Sequence, residues 1–238
     1  MTNNQILIKP SVIVRLLTLV ALALHVISFS TRFIVHYTGQ TNKLITLFYV
    51  GYEKNIPTAF SVFILFFAAA LLFLITILKW KQSNSFYLSW AFLCVGFFYL
   101  SIDEGWQLHE LTLGHFYSPN GLLWGYQFSG FLYRYWIIPY LLAMPFLLYI
   151  FWKLLMSLEK KTRNLFIISA VMYLSGVIGM ESVGGYIKSN YGIDNWWYYL
   201  EVAVEEGLEM AGIIVFIYSL FDYLLKNYNE IRLLINKN

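Results

Sequence analysis

Charge is the first thing this chain lacks. Asp, Glu, Lys and Arg make up 12% of its 238 residues, against about 25% in a soluble domain. That shortage excludes an ordinary water-soluble surface. Cysteine is nearly absent as well. Cys94 is the single thiol, so an intrachain disulfide and a cysteine-based zinc site are both excluded. Histidine occurs four times, and no Glu-x-x-His pair occurs anywhere. The net charge of +3 gives no basis for nucleic-acid binding.

Apolar side chains fill the gap. The chain is 59% hydrophobic and 20% aromatic, with a mean hydropathy of +0.62. Apolar windows of about 17–25 residues mark membrane spans. Six stretches qualify: 11–31, 57–78, 85–102, 135–156, 164–183 and 199–225. The reading is a single all-α domain, 1–238, folded as a polytopic helical bundle in a bilayer. Pro139 and Pro145 are expected to kink the fourth span. Lys9 and Arg15 precede the first span, and Ala21-Leu22-Ala23 resembles a signal-peptidase triplet. The triplet lies inside the apolar run rather than after it, so the span is read as uncleaved.

Basic residues near span ends set orientation. With the N-terminus inside, eleven of the 16 Lys and Arg fall on the inner side. Both termini are therefore expected in the cytoplasm, and a bacterial inner membrane is the expected location. Ten of the 13 acids fall on the opposite, outer side. Acids contribute little to topology, so their bias needs another cause.

Depth supplies one. Helices rise about 1.5 Å per residue, which puts Glu209 about 25 Å above Lys226. Glu181 stands at a similar height above Arg163, and Asp103-Glu104 follows an 18-residue apolar run. Three spans thus bring carboxylates to one level, as a pocket opening outward would. At 100° per residue, Glu201, Glu205 and Glu209 form one stripe on the sixth span. Ala203, Gly207 and Ala211 form a small-residue stripe beside it. Such stripes let membrane helices approach closely. Ser175, Gly176, Gly179 and Ser182 offer a matching surface, so spans five and six should pack together, with Gly184-Gly185 ending the fifth helix. If the third helix continues past 102, Asp103, Gln107 and Glu110 share a face.

Familiar metal patterns are tested by spacing. HELTLGH (109–115) invites comparison with H-E-x-x-H, but His109 and His115 are six apart and Gly114 intervenes. Two histidines on one helix face are not available, and the protease reading fails. The di-iron carboxylate pattern needs two Glu-x-x-His pairs. Here only Glu206-x-x-Glu209 has the right spacing. A carboxylate-rich site of this kind favours Mg, Ca, Mn or Fe, with Zn if histidine joins. Candidate ligands are Glu104, His109, Glu110, Glu181, Glu205 and Glu209. Asp103 and Glu206 are candidate catalytic carboxylates, and Arg134 would orient an acidic ligand or neutralise spare charge. His25 reads as a packing residue, His36 and His115 as loop residues, and Arg32 as a second neutralising cation.

LSIDEGWQLHE (100–110) together with EEGLEMAG (205–212) resembles a group of bacterial multi-pass membrane proteins, of a kind seen in cyanobacteria, to which no activity is assigned. The resemblance implies membrane localisation. Ser101 and Asp103 also resemble part of the alkaline ceramidase and adiponectin-receptor pattern. The late histidine pair of that superfamily is missing, so its zinc ligands are not carried over. The expectation is an outward-facing carboxylate and histidine pocket holding a divalent metal, acting on a lipid-like substrate from the bilayer. A cation or proton-coupled transporter and a non-catalytic assembly factor are the alternatives.

Overall fold

A computed structural model describes residues 9–108 and 128–228, plus the backbone of five two-residue extended segments. Those segments pair Ile6–Leu7 with Arg232–Leu233, and Tyr117–Ser118, Leu122–Leu123 and Tyr126–Gln127 in sequence. They form no sheet layer. His109, Glu110 and His115 lie outside the residues whose side chains are described.

The architecture is helical. Helix α1 spans Pro10–Thr38, α2 Lys43–Phe48, α3 Ile56–Lys81 and α4 Tyr87–Trp106. After the 107–136 segment come α5, Ile137–Ser157, α6, Lys160–Tyr191, and α7, Trp196–Tyr228. Local sequence explains the starts. Pro10 opens α1, where its missing N–H costs nothing. Asn42 and Asn55 cap α2 and α3 by accepting from the Ile45 and Thr58 amides at 3.0 Å each. Gly39, at φ 64°, ends α1 in the left-handed conformation that favours glycine.

Helices α1, α3, α5, α6 and α7 are long and apolar enough to cross a membrane. The expected third span falls on α4. It has 20 residues, and Asp103 and Glu104 lie in its last turn, inside the helix rather than after it. Gln107 caps it at φ 56°, so Gln107 does not continue the Asp103 face as expected. Pro139 sits in the first turn of α5 and Pro145 inside it. His36, expected in a loop, lies in the last turn of α1 and accepts from the Trp196 indole N–H at 3.1 Å.

Helix α7 is the centre of the bundle. Its most apolar 18-residue stretch is 67% buried, against 11% for α5. Met210, Ile217, Leu220 and Leu224 pack there with Ile64, Leu72 and Ile75 of α3 and Trp90 of α4. The periphery is apolar too. Leu142, Phe146, Tyr149 and Trp152 form an exposed ridge along α5. Such a surface would bind itself in water and is at home against lipid.

Helix α6 is longer than the expected fifth span. Ser175–Met180 is a π-helical stretch, and the helix then continues to Tyr191. Gly184 and Gly185 therefore do not end it. Gly192, at φ 74°, follows the last helical residue. The two inner glycines are buried, and the reason lies in what packs over them.

Candidate functional site

The stripe Glu201, Glu205, Glu209 faces α6, as its 100° spacing predicts. Glycines make room for it. A methyl group on Gly184 would stand 2.6 Å from Glu201 Oε2. One on Gly176 would meet Glu209 Cγ at 2.6 Å and the Glu205 carbonyl oxygen at 2.9 Å. Lower down, Gly212 of α7 receives the backbone of α6 in the same way, with Tyr173 N at 2.8 Å. Spans five and six thus pack as expected, with Gly176 of the expected set joined by Gly184 and Gly212. Gly207 faces His25 of α1, and Gly179 touches nothing within 4 Å.

Arg134 enters the upper part of this contact from the start of α5. It forms an ion pair with Glu181 and a second with Glu205 at 3.8 Å. It also donates to the Tyr198 hydroxyl at 3.3 Å. Arg134 therefore neutralises acids, one of the two roles read from the sequence. Glu181 meets a cation first, which accounts for part of its charge without a metal.

Glu201 is next to this pair and is left out of it. It is 3% exposed, and its carboxylate oxygens meet no hydroxyl, amide or ammonium donor among the described residues. An acid so near the outer end of a span could sit in solvent; burial excludes that for Glu201. The Glu205 carboxyl one turn on lies within hydrogen-bonding reach, so the two acids either share a proton or repel each other.

A second group lies deeper. Glu104 of α4, Tyr173 of α6 and Glu209 of α7 line a small cavity of ≈ 10 Å³, about the space of one water. Glu104 also acts electrostatically on Glu206, and Glu206 on Glu209. Asp103 is buried beside this group and acts on Tyr140 and Tyr173. The sequence-derived carboxylates thus fall into two layers, an upper one at Arg134 and a lower one at Glu104. Among the described residues, no three His, Cys, Asp or Glu side chains converge in a way that could hold a metal ion.

His25 was read as a packing residue, and the structure gives it more. Its Nδ1 lies 2.9 Å from the Ala21 carbonyl oxygen. A carbonyl only accepts, so Nδ1 carries the proton and Nε2 keeps a bare lone pair. That Nε2 is buried without a partner, 3.4 Å from where a Gly207 Cβ would stand. Gly207 neighbours Glu206 in sequence. A lone pair fixed by a backbone hydrogen bond on the other ring nitrogen is how ligating histidines are commonly held. The signal in the sequence was weak: a single imidazole inside an apolar run.

Arg32 is not an acid partner. Its guanidinium lies over the Tyr49 ring at 3.5 Å, with Tyr52 and Tyr199 at 4.8 and 5.2 Å. Burial pushes the Tyr49 hydroxyl above its ordinary value, against the opposing pull of Arg32, so the ring meets the cation as a neutral phenol.

No curated protein and no solved structure matches the chain significantly. A family model described as a domain of unknown function, DUF8692, matches residues 13–224. The matched stretch takes in His25, Asp103, Glu104, Arg134, Glu181 and the whole Glu201–Glu209 stripe. The chain belongs to the DUF8692 family, a domain of unknown function.

Proposed function

We propose that this protein is an integral membrane protein that holds a cation in an outward-opening pocket between α1, α4, α6 and α7. The reading adopts the basic-residue orientation, with both termini in the cytoplasm, a six-span bundle and a bacterial inner membrane as its location. One observation carries the proposal: two buried acceptors, His25 Nε2 and the Glu201 carboxylate, meet no hydroxyl, amide or ammonium donor among the described residues, and the neighbour of Glu201 is a second carboxyl, Glu205. A buried lone pair or carboxylate without a partner is costly, and a bound cation removes the cost. Charge balance points the same way. Among the described residues, Glu181, Glu201, Glu205, Glu206 and Glu209 gather here with Arg134. The remaining charge needs bound cations, protons included.

Two occupants follow. A divalent metal, Fe, Mn, Zn, Mg or Ca, is favoured by the sequence pattern. It fits His25 Nε2 in part, and Glu206 would then serve as the base in hydrolysis or oxidation of a lipid-like substrate. Protons are favoured by the lack of a three-ligand group among the described residues, which suits proton-coupled transport or sensing. Elemental analysis of the full chain, purified in mild detergent without chelator, separates them. A near-stoichiometric metal that is lost in His25→Ala and Glu206→Gln assigns the metal. A metal-free, folded wild type whose proteoliposomes acidify in response to a counter-ion gradient, with Glu206→Gln inactive, assigns the proton. Neither metal nor flux would remove the cation reading and leave the assembly factor.

A further inference from the structure

The opposite end of the bundle carries a cavity of ≈ 240 Å³ between α3, α4, α5, α6 and α7. Its charge does not balance. Lys79 and Lys226 line it, with Glu159 the acid of the lining; Asp222 and Lys161 join this group through ion pairs from outside the lining. Lys226 pairs with Glu159 at 2.9 Å and with Asp222 at 3.0 Å, and Lys161 takes Asp222 at 2.7 Å. Lys79 is left without a carboxylate. It is 8% exposed, and among the described residues its ammonium meets neutral groups: Gln82 Oε1 and Asn227 Oδ1 at 3.5 Å each, and the rings of Tyr223 and Tyr228 at 5.4 and 5.5 Å. Such partners hold a buried ammonium in place without neutralising it.

Two helix N-termini meet at the same cavity. Phe86 and Glu159 occupy the cap positions of α4 and α6, and neither makes a side-chain cap bond. Both residues line the cavity with Lys79 and Lys226. Asn84 takes the Phe86 and Tyr87 amides at 2.9 and 3.2 Å; the remaining first-turn amides and the positive ends of two helix dipoles favour an anion. The volume is below the ~300–1,000 Å³ of drug-sized pockets, which suits a headgroup-sized anion. The site lies where α3 and α7 reach their basic ends. Basic pockets between membrane helices at that level commonly take lipid headgroups.

We infer that this cavity is an anion site that takes a phosphate group, from a lipid headgroup or from free phosphate, against Lys79 and the starts of α4 and α6. It is separate from the carboxylate pocket and does not depend on what that pocket binds.

The test is thermal unfolding of the full chain in a neutral detergent. Three additions are compared at matched ionic strength: dihexanoyl phosphatidic acid, dihexanoyl phosphatidylcholine and inorganic phosphate. A saturable rise in Tm with phosphatidic acid, absent with the zwitterionic lipid and with phosphate, assigns a lipid headgroup. An equal rise with inorganic phosphate assigns the free anion. Lys79→Gln should weaken the apparent affinity at least ~10-fold, about 1.4 kcal/mol. Asn227→Asp supplies a carboxylate beside Lys79, so it should raise Tm without ligand and abolish the response, which keeps the test valid if Lys79→Gln does not fold. Lys153→Gln, an exposed lysine outside the cavity, should respond as wild type. No rise with either phosphate, an unaltered response in Asn227→Asp, or an equal loss in Lys153→Gln would overturn the inference.

Discussion

Asp222, near the basic end of α7, accepts from Lys161 and Thr162 at 2.7 Å each and from Lys226 at 3.0 Å. Glu201, near the other end of the same helix, meets no hydroxyl, amide or ammonium donor among the described residues, with the Glu205 carboxyl beside it. Both are buried acids on the central helix. Asp222 has the surroundings of a structural charge, with a hydroxyl and two ammoniums around one carboxylate. Glu201 has a glycine beneath it and another carboxylate beside it. Evolution of a stable bundle alone accounts for the first arrangement. The second costs stability, which is the pattern the proposed cation pocket would account for.

Four substitutions sharpen or break this contrast. Gly212→Val should have the largest effect. Its side chain would enter the α6 backbone at Tyr173 and Ser169, and overpacking of that kind costs about 3 kcal/mol or more. Thermal unfolding in detergent should show it, and a wild-type Tm would mean that α6 and α7 are less tightly joined than described. Arg134→Gln comes next. It strands Glu181 and Glu205, and loss of one partner of a buried pair costs about 3 kcal/mol. The double variant Arg134→Gln/Glu181→Gln should recover about half of that, and strict additivity of the two single changes would show that the pair contributes nothing.

Asp222→Asn should cost about 2 kcal/mol, less than Arg134→Gln because Lys161 is half-exposed and regains water. Glu201→Gln should leave Tm within about 0.5 kcal/mol of wild type or raise it, because it removes an unpartnered charge. The same change should abolish metal retention or proton flux, whichever the pocket supports. The contrast between the two acids breaks if Glu201→Gln destabilises as much as Asp222→Asn.

Much of this arrangement was legible in the sequence for one reason: bilayer thickness fixes the length of an apolar run, so the long helices announce themselves. The Glu201–Glu209 stripe was legible because α7 is a regular helix and 100° per residue holds along it. Regularity fails at Ser175–Met180, and there the sequence misled. Gly184-Gly185 looks like a stop signal, yet tertiary contact with Glu201 and Arg134 keeps the helix going. Arg134 was picked out as a neutralising cation. Its choice of Glu181, far along the chain, was not readable, because no local spacing joins them. His25 was missed because a tautomer depends on a backbone carbonyl, which residue identities do not display. The anion cavity was invisible for the same reason: Lys79 looked like one more basic residue at a span end until its lack of a carboxylate could be seen.

The wide turn at Ser175–Met180 has a consequence of a different kind. A π-turn holds one residue more than the α-helix it interrupts, so α6 behaves like two lengths of screw joined by a washer. The lower thread sets Gly212's seat at Ser169 and Tyr173, and the upper thread sets the bearing of Glu181. Deleting one residue between 175 and 180 would remove the washer. Everything above it would rotate by about 100° and drop by about 1.5 Å, while the lower thread stayed seated. Glu181 would then turn away from Arg134 without any change in its own identity. The timing of the two ends of α6 is thus set by a single residue of slack.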